Sequence, residues 1–511
     1  MKYKYFALCL MLLSDIILTN NLFAQAMDFT TVRAGVYFDH TSRDWDGFGF
    51  NYVQTAHFID KNLDPKESAE WWKKYHPGKD SFVQEYGGFS ILDDNEKSEI
   101  IDLIFGENGL KPGIIKMFLS ADHQKKPGGA FDHESTTTYM REFVQMGLKK
   151  TRQRGDNLQI ITTLYGPPGF MTKQKADRDR DLDPEFKDDL ALYMADWVKF
   201  LKEKEKLPVK YLSLHNEGED WSRWNKDGFT TSFKHDFNLF WPPVQVNKFL
   251  KLMPKVLKDN GIKEVELTNG EPSNWYRFSY WGYADHIAMD KEALQNLGII
   301  TSHGFYNGKY GVWFGEHTSY GNDVLREKKP ELHAWVTSTS WATMDANFVK
   351  EIHGNIYSAK VNGLIPWAGI QRPTHWLGGD PNPGSAIRVH DDGSYEVLKG
   401  YYFYKQVSRA GQPGMKVAKT FAMQSQIAVI GFSSNGTKNP DSFVVINISN
   451  GKKPVEVEIH GSNYKSFQAF RTVDAEGFEA DRYKPIGTFQ VENGKIYLET
   501  LPGSATTFFG N

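Results

Sequence analysis

The segment Tyr211-Leu212-Ser213-Leu214-His215-Asn216-Glu217 runs from an apolar strand pattern directly into an amide and a carboxylic acid. A carboxyl at the mouth of such a strand is partly desolvated, which disfavours the charged form, raises the pKa and equips the group to protonate a leaving oxygen. Asn216 beside it can hydrogen-bond a hydroxyl. Asn-Glu also suits the start of a helix, with the amide as cap and the acid in the first turn. The surroundings therefore have to decide between the two. Other strand-like runs also close on polar and aromatic residues, namely Tyr165-Gly166-Pro167-Pro168-Gly169-Phe170-Met171, Ser302-His303-Gly304-Phe305-Tyr306, and a run closing near Trp367.

The elements that must position these groups alternate in type. Strand-like runs at Gly47 to Asn51, Ile114 to Ser120, Leu158 to Leu164, Val209 to His215, Val265 to Thr268, Ile299 to His303, His333 to Thr337 and Gly363 to Ala368 are mostly separated by amphipathic stretches. In one of these, Pro184 suits a first turn and Phe186, Leu190, Tyr193, Trp197 and Phe200 recur at helical spacing. Eight such units predict a (β/α)8 TIM barrel over 45–399, which places reactive groups at the C-terminal ends of its strands. The Gly47-Phe48-Gly49 turn lacks the third glycine of a dinucleotide fingerprint, so it reads as barrel structure. Over 400–511 short strands alternate with Gly, Asn, Asp and Pro turns, the texture of a β-sandwich. The strand-like segment Thr30 to Phe38, within 27–44, is placed to complete it.

Composition sets bounds on function. The 511 residues carry 60 Lys+Arg against 63 Asp+Glu, a net charge of -3, too balanced for a chain whose main partner is a nucleic acid or an anionic membrane. Aromatic residues make up 14% of the chain, enough to fill a core and still supply rings for stacking on apolar sugar faces. Residues 1–26 read as a secretory signal: Lys2 and Lys4, the apolar run Tyr5 to Leu13, then Ala24-Gln25-Ala26. A periplasmic or secreted location is expected. The apolar run falls short of the ~20 residues a membrane span needs, and no later segment approaches that length. Cys9, the only cysteine, lies inside this leader, so disulfides, cysteine-ligated zinc and thiol catalysis are not expected of the mature chain. No cofactor or metal site is expected. Asp380-Pro381-Asn382-Pro383-Gly384 begins like a calcium loop but lacks the later ligands and reads as a rigid turn.

Together, the Pro-Pro segment after strand three, "HNEGED" after strand four, the His and Tyr after strand six, and "GFGFNY", "IIKMFLSADH" and "LPGSATTFFG" resemble glycoside hydrolase family 30 and its clan A relatives. The resemblance covers nearly the whole mature chain. It implies a barrel joined to a sandwich built from both chain ends, and an activity on β-linked oligosaccharides or polysaccharides. It further implies Glu217 as general acid/base, Asn216 as the group holding the sugar, and His303, Tyr306 and Trp367 as lining residues.

One part of the family's pattern is missing. The family's nucleophile is a Glu at the end of strand seven, and the matching position here is Ser338, with no carboxylate between Glu331 and Asp345. The Arg that supports that nucleophile is replaced by Lys116. A serine hydroxyl is a poor substitute without an adjacent base. Retaining enzymes need two carboxyls about 5–5.5 Å apart and inverting ones about 6.5–9.5 Å, so a base opposite Glu217 is sought in Glu271, Glu316 or Asp122. Each has a structural alternative: Glu271 precedes Pro272 in a turn, Glu316 adjoins Gly315, and Asp122 can pair with Lys116 or Arg43. A substrate group acting as nucleophile, or a sugar-binding protein that has lost hydrolysis, are the other readings. Arg43, Arg223, Lys309 and Arg372, assigned to segments after strands one, four, six and eight, could converge with Lys116 to bind an acidic glycan, but pairing with the nearby acids Asp44, Asp46, Glu219, Asp220 and Asp122 is favoured instead.

Overall fold

The structure is a computed structural model, and it describes residues 31–58, 81–230, 239–305, 317–375 and 384–511. Eight parallel strands close a barrel: Gly47–Asn51, Ile114–Leu119, Gln159–Leu164, Val209–Ser213, Glu266–Thr268, Leu297–Ser302, Ala334–Val336 and Gly363–Leu364. All eight coincide with runs read from the sequence. The last pairs back onto the first through Gly363 with Gly47 and Leu364 with Phe48.

Strand periodicity builds the barrel interior in layers. Ile114, Ile161, Tyr211, Ile299, Trp335 and Ile365 form one enclosed apolar cluster. Side chains two residues apart on a strand share a face, so the next layer toward the mouth is Lys116, Thr163, Ser213, Thr301, Thr337 and Trp367. All six are buried. An apolar floor thus carries a mostly polar layer, and the site stands on that layer.

Outside, amphipathic helices cover the strands. In Lys187–Glu203 the buried residues Leu190, Tyr193, Met194, Trp197, Val198 and Leu201 make one face, and Asp183 caps the single 3-10 turn that leads in. The helix Asp94–Phe105 starts with a capping box in which Asp93 and Glu96 satisfy each other's backbone N–H groups.

Before the second β region the chain forms one more helix, Lys399–Ala410. Gln406 on this helix bonds Thr507, joining barrel to sandwich (Thr507 N–H to Oε1, 3.0 Å). The sandwich is a nine-stranded sheet around Val36, Phe443, Phe467 and Phe508. Val32–Asp44 lies inside this sheet, antiparallel to Lys416–Ala422 and parallel to Lys453–His460. Lys416–Ala422 was not anticipated as a strand, since its Lys-Val-Ala-Lys-Thr pattern is short of aromatic and branched residues. Among the described residues no helix is long and apolar enough to cross a membrane. The leader at 1–26 and the turn residues Asp380 to Pro383 lie outside the described residues.

Candidate active site

Strands four and five hold the first two carboxylates through their backbones. Gly270 has a φ of +84°, and a Cβ there would sit 2.1 Å from the His215 ring, so only glycine lets the end of strand five lie against that of strand four. The Glu271 N–H then donates to the His215 carbonyl at 2.9 Å and the Glu217 N–H to the Glu271 carbonyl at 2.8 Å. Glu217 itself has a φ of 47°, a left-handed conformation costly for a residue with a Cβ. Strain of this kind persists where the surroundings enforce it, and it concentrates at functional sites.

From that backbone the side chains form a chain of alternating charge. Arg223 Nη2 donates to Glu217 Oε2 at 2.6 Å. His303 Nδ1 lies 2.8 Å from Glu217 Oε1, and its Nε2 lies 3.2 Å from Glu271 Oε2. Glu271 also accepts from Thr163 Oγ1 at 2.6 Å and from Lys116. Lys116 in turn reaches the carbonyl of Thr337, next to Ser338, at 3.3 Å. Both carboxylates accept, so both nitrogens of His303 must donate, which requires the imidazolium. Burial pushes His303 down, but its bonds to Glu217 and Glu271 outweigh that and raise its pKa above the ordinary value.

The same contacts correct the reading of Glu217 as a carboxyl raised by desolvation. Burial does push it up, but the Arg223 charge and the His303 bond hold it far below the usual carboxylate range. Glu217 is ionised at rest, with 15% of its side chain exposed. Glu271 is different: its side chain is wholly enclosed, and the Lys116 charge and His303 bond overcome burial and bring it to about 2. As placed it neutralises Lys116 and does not face a water at the mouth.

The remaining predicted residues separate into three groups. Asn216 and His303 lie with the two glutamates: Asn216 is buried and bridges to Glu271 through its backbone. Ser338 is buried, its carbonyl accepts from Gly304 N–H at 2.7 Å, and its hydroxyl has no hydrogen-bond partner among the described residues. Trp367 is 7% exposed, packed near Tyr86 and Phe118. Asp122 pairs with neither Lys116 nor Arg43. It accepts from Thr136 at 3.1 Å and lies 3.6 Å from Lys125, and burial raises its pKa. Arg372 is drawn to Asp391 at 2.8 Å. Arg43 precedes strand one, lies on the sandwich strand and donates to the backbone carbonyls of Val361 and Ile356, so it does not reach the mouth. Of the four proposed cations among the described residues, Arg223 and Lys116 join the site and Arg43 and Arg372 do not. Tyr306, Lys309 and Glu316 lie outside the described residues.

Sequence reasoning did not find Thr163, Arg277 or Asp177. Arg277 Nη1 donates to Glu219 at 2.7 Å and Nη2 to Asp220 at 3.0 Å, locking the loop after strand four to the helix Trp275–Tyr280. Local pattern pairs Glu219 and Asp220 with nearby cations, but their partner comes from 57 residues further along the chain. Asp177 accepts from Gly169 N–H at 2.9 Å and burial raises it to about 6. The Thr163 position was readable, as the inward residue two beyond Ile161.

No protein-family model matches the chain. A family 30 endoxylanase from Clostridium papyrosolvens superimposes with a TM-score of 0.63 at 16% identity, covering 94% of this chain and all of that one. The fold is that of the family 30 glycoside hydrolases. An endo-β1,6-glucanase superimposes with a TM-score of 0.62 at 15% identity, over 94% of this chain and 93% of that chain. By sequence, galactocerebrosidase from Salmo salar is 20% identical over 211 residues, 40% of this chain and 26% of that protein. The chain thus spans about a quarter of the length of that curated relative. The barrel with its appended sandwich agrees with the expectation from the family 30 resemblance.

Proposed function

We propose that this protein is an exported glycoside hydrolase acting on a β-linked glycan, with Glu217 as general acid/base. The observation that carries the reading is the Glu217 carboxylate: it is held in a left-handed backbone conformation at a strand end, partly open, and gripped by Arg223 and His303. A protein that only binds sugar gains nothing from a strained, charged carboxyl in that place. The fold neighbours support a polysaccharide substrate class.

The chemistry follows from the contacts. While Arg223 covers Oε2 and His303 bonds Oε1, Glu217 is stabilised as a carboxylate. A sugar entering the mouth has to displace Arg223 from Oε2; with that charge withdrawn Glu217 takes up a proton, from the His303 imidazolium at Oε1 or from solvent, and can then pass it to the leaving oxygen. Among the described residues a double displacement through an enzyme carboxylate lacks its second member, because Ser338 is neutral and Glu271 is enclosed. The second step then falls to water in a single displacement, which inverts the anomer, or to a neighbouring group of the substrate, which retains it. Following product anomers by NMR over a panel of β-glycans tests activity, substrate and stereochemistry together. Turnover of at least one glycan is expected. A protein that binds these glycans without cleaving any would be the non-catalytic relative instead.

An acidic glycan is the second reading, favoured by charge. Arg223 and Lys116 both bring permanent positive charge to the two glutamates, where an anionic sugar substituent can be bound. Binding to an anionic oligosaccharide should weaken as salt rises while binding to its neutral counterpart stays constant. Equal binding of both at every ionic strength removes this refinement and leaves the hydrolase reading intact.

A further inference from the structure

The loop after strand four carries a second feature that the catalytic chain does not use. Trp221 lies four residues after Glu217 on the single turn Trp221–Arg223, whose last residue touches Glu217. Trp221 is 50% exposed, and with Trp281 at 41% it stands out among the described residues from the enclosed Trp45, Trp197, Trp241, Trp275, Trp335 and Trp341.

The exposed ring is held in place. The Arg180 guanidinium lies over it with Cζ 3.7 Å from the centroid, and the edge of Phe240 meets it at 5.0 Å and 87°. Arg180 is itself buried and fixed by two 3.0 Å bonds to Asp181. Beneath the turn, Asp220 caps Ser222 N–H at 3.0 Å while Arg277 grips its other oxygen. The backbone and one ring face are therefore occupied, and the open surface is presented without rotational freedom. A ring that is rigid before binding loses little entropy when a ligand covers it.

From this geometry we propose that Trp221 is a sugar-stacking platform that sets a binding subsite beside Glu217. A β-linked pyranose turns a patch of C–H bonds outward from one face. Those weakly positive hydrogens complement the negative face of an indole, whereas the charged groups around Glu217 are suited to hydroxyls. Arg223 and Trp221 share one turn, which ties the position of the ring to the backbone that holds the Arg223–Glu217 contact. This assignment rests on the hydrolase reading above.

The test uses the full-length protein and the β-glycan that wild type cleaves fastest, with its oligomers of increasing length. Trp221→Ala should raise KM roughly tenfold or more, the scale of the apolar area one sugar face covers, with kcat nearly unchanged. Trp221→Phe should recover most of the loss. In the Glu217→Gln background, calorimetry should show the same loss of affinity for the longer oligomers. Unchanged KM in Trp221→Ala, or a loss confined to kcat, overturns the platform while leaving the hydrolase reading in place. A wild type that cleaves none of the glycans overturns that reading and the platform with it.

Discussion

Lys116 from strand two and Glu271 from beyond strand five form a fully enclosed ion pair across the barrel. The resemblance to family 30 implies a strand-two cation that supports a strand-seven glutamate, with Ser338 at the matching position. Lys116 still extends to the strand-seven carbonyl of Thr337, but its counter-charge comes from strand five. The counter-charge of this cation is thus supplied from strand five, while Ser338 on the strand-seven side is neutral.

That pair should be strongly coupled. Lys116→Met leaves Glu271 with only the His303 imidazolium as a cation, which it shares with Glu217, and losing one partner of a buried pair costs about 3–5 kcal/mol. Adding Glu271→Gln should restore part of that stability, because the amide still bonds Thr163 and needs no cation. Denaturant unfolding of both single variants and the double gives the coupling. Additive losses would mean that the pair contributes no interaction of its own.

Glu217→Gln should leave the fold intact and lower turnover at least about 100-fold, the scale of a lost general acid. Arg223→Met should raise the pKa of Glu217, since it removes the cation on Oε2. The alkaline limb of the kcat/KM profile, where the general acid loses its proton, should then move to higher pH, and an unmoved limb would dissociate Arg223 from the ionisation of Glu217.

Ser338→Ala should retain most activity and fold at least as well as wild type, because the serine hydroxyl is enclosed with no partner among the described residues and such a group costs about 1–3 kcal/mol. Ser338→Glu alone should be poorly tolerated, since it crowds a second carboxylate against Glu271 with only Lys116 between. Ser338→Glu with Glu271→Gln relieves that crowding and is the variant expected to give retaining activity. A covalent sugar adduct on wild-type Ser338 in mass spectrometry would contradict a spectator role for the serine.

The cluster should also give stability a limited pH window. Glu271, held at about 2 against an ordinary 4.5, contributes stability that is present above the ordinary value and lost as pH falls toward 2. His303, raised above 6.5, contributes stability that is complete below that value and lost as pH rises through its folded pKa. The combined contribution is greatest between about 4.5 and 6.5. Thermal melts across pH should show His303→Gln losing the alkaline decline relative to wild type; an unchanged slope would place the titration elsewhere.

Much of the molecule was readable from local pattern. Eight strand runs are apolar and β-branched because both faces of a barrel strand are buried, and the polar residue two places beyond each inward apolar one marks the layer under the site. Asn216 and Glu217 were legible because chain order alone puts them at the end of a strand. Partnership was not legible. Lys116 and Glu271 are 155 residues apart and His303 and Glu217 are 86 apart, and nothing in a linear pattern says that these side chains meet. The sign of the Glu217 shift was decided there: desolvation can be inferred from a strand end, but the two cations that overcome it come from a turn six residues on and from the end of strand six. Sequence determined which groups stand at the mouth, because strand periodicity is local. Tertiary structure decided their protonation, because electrostatic interaction depends on distance in space and on burial.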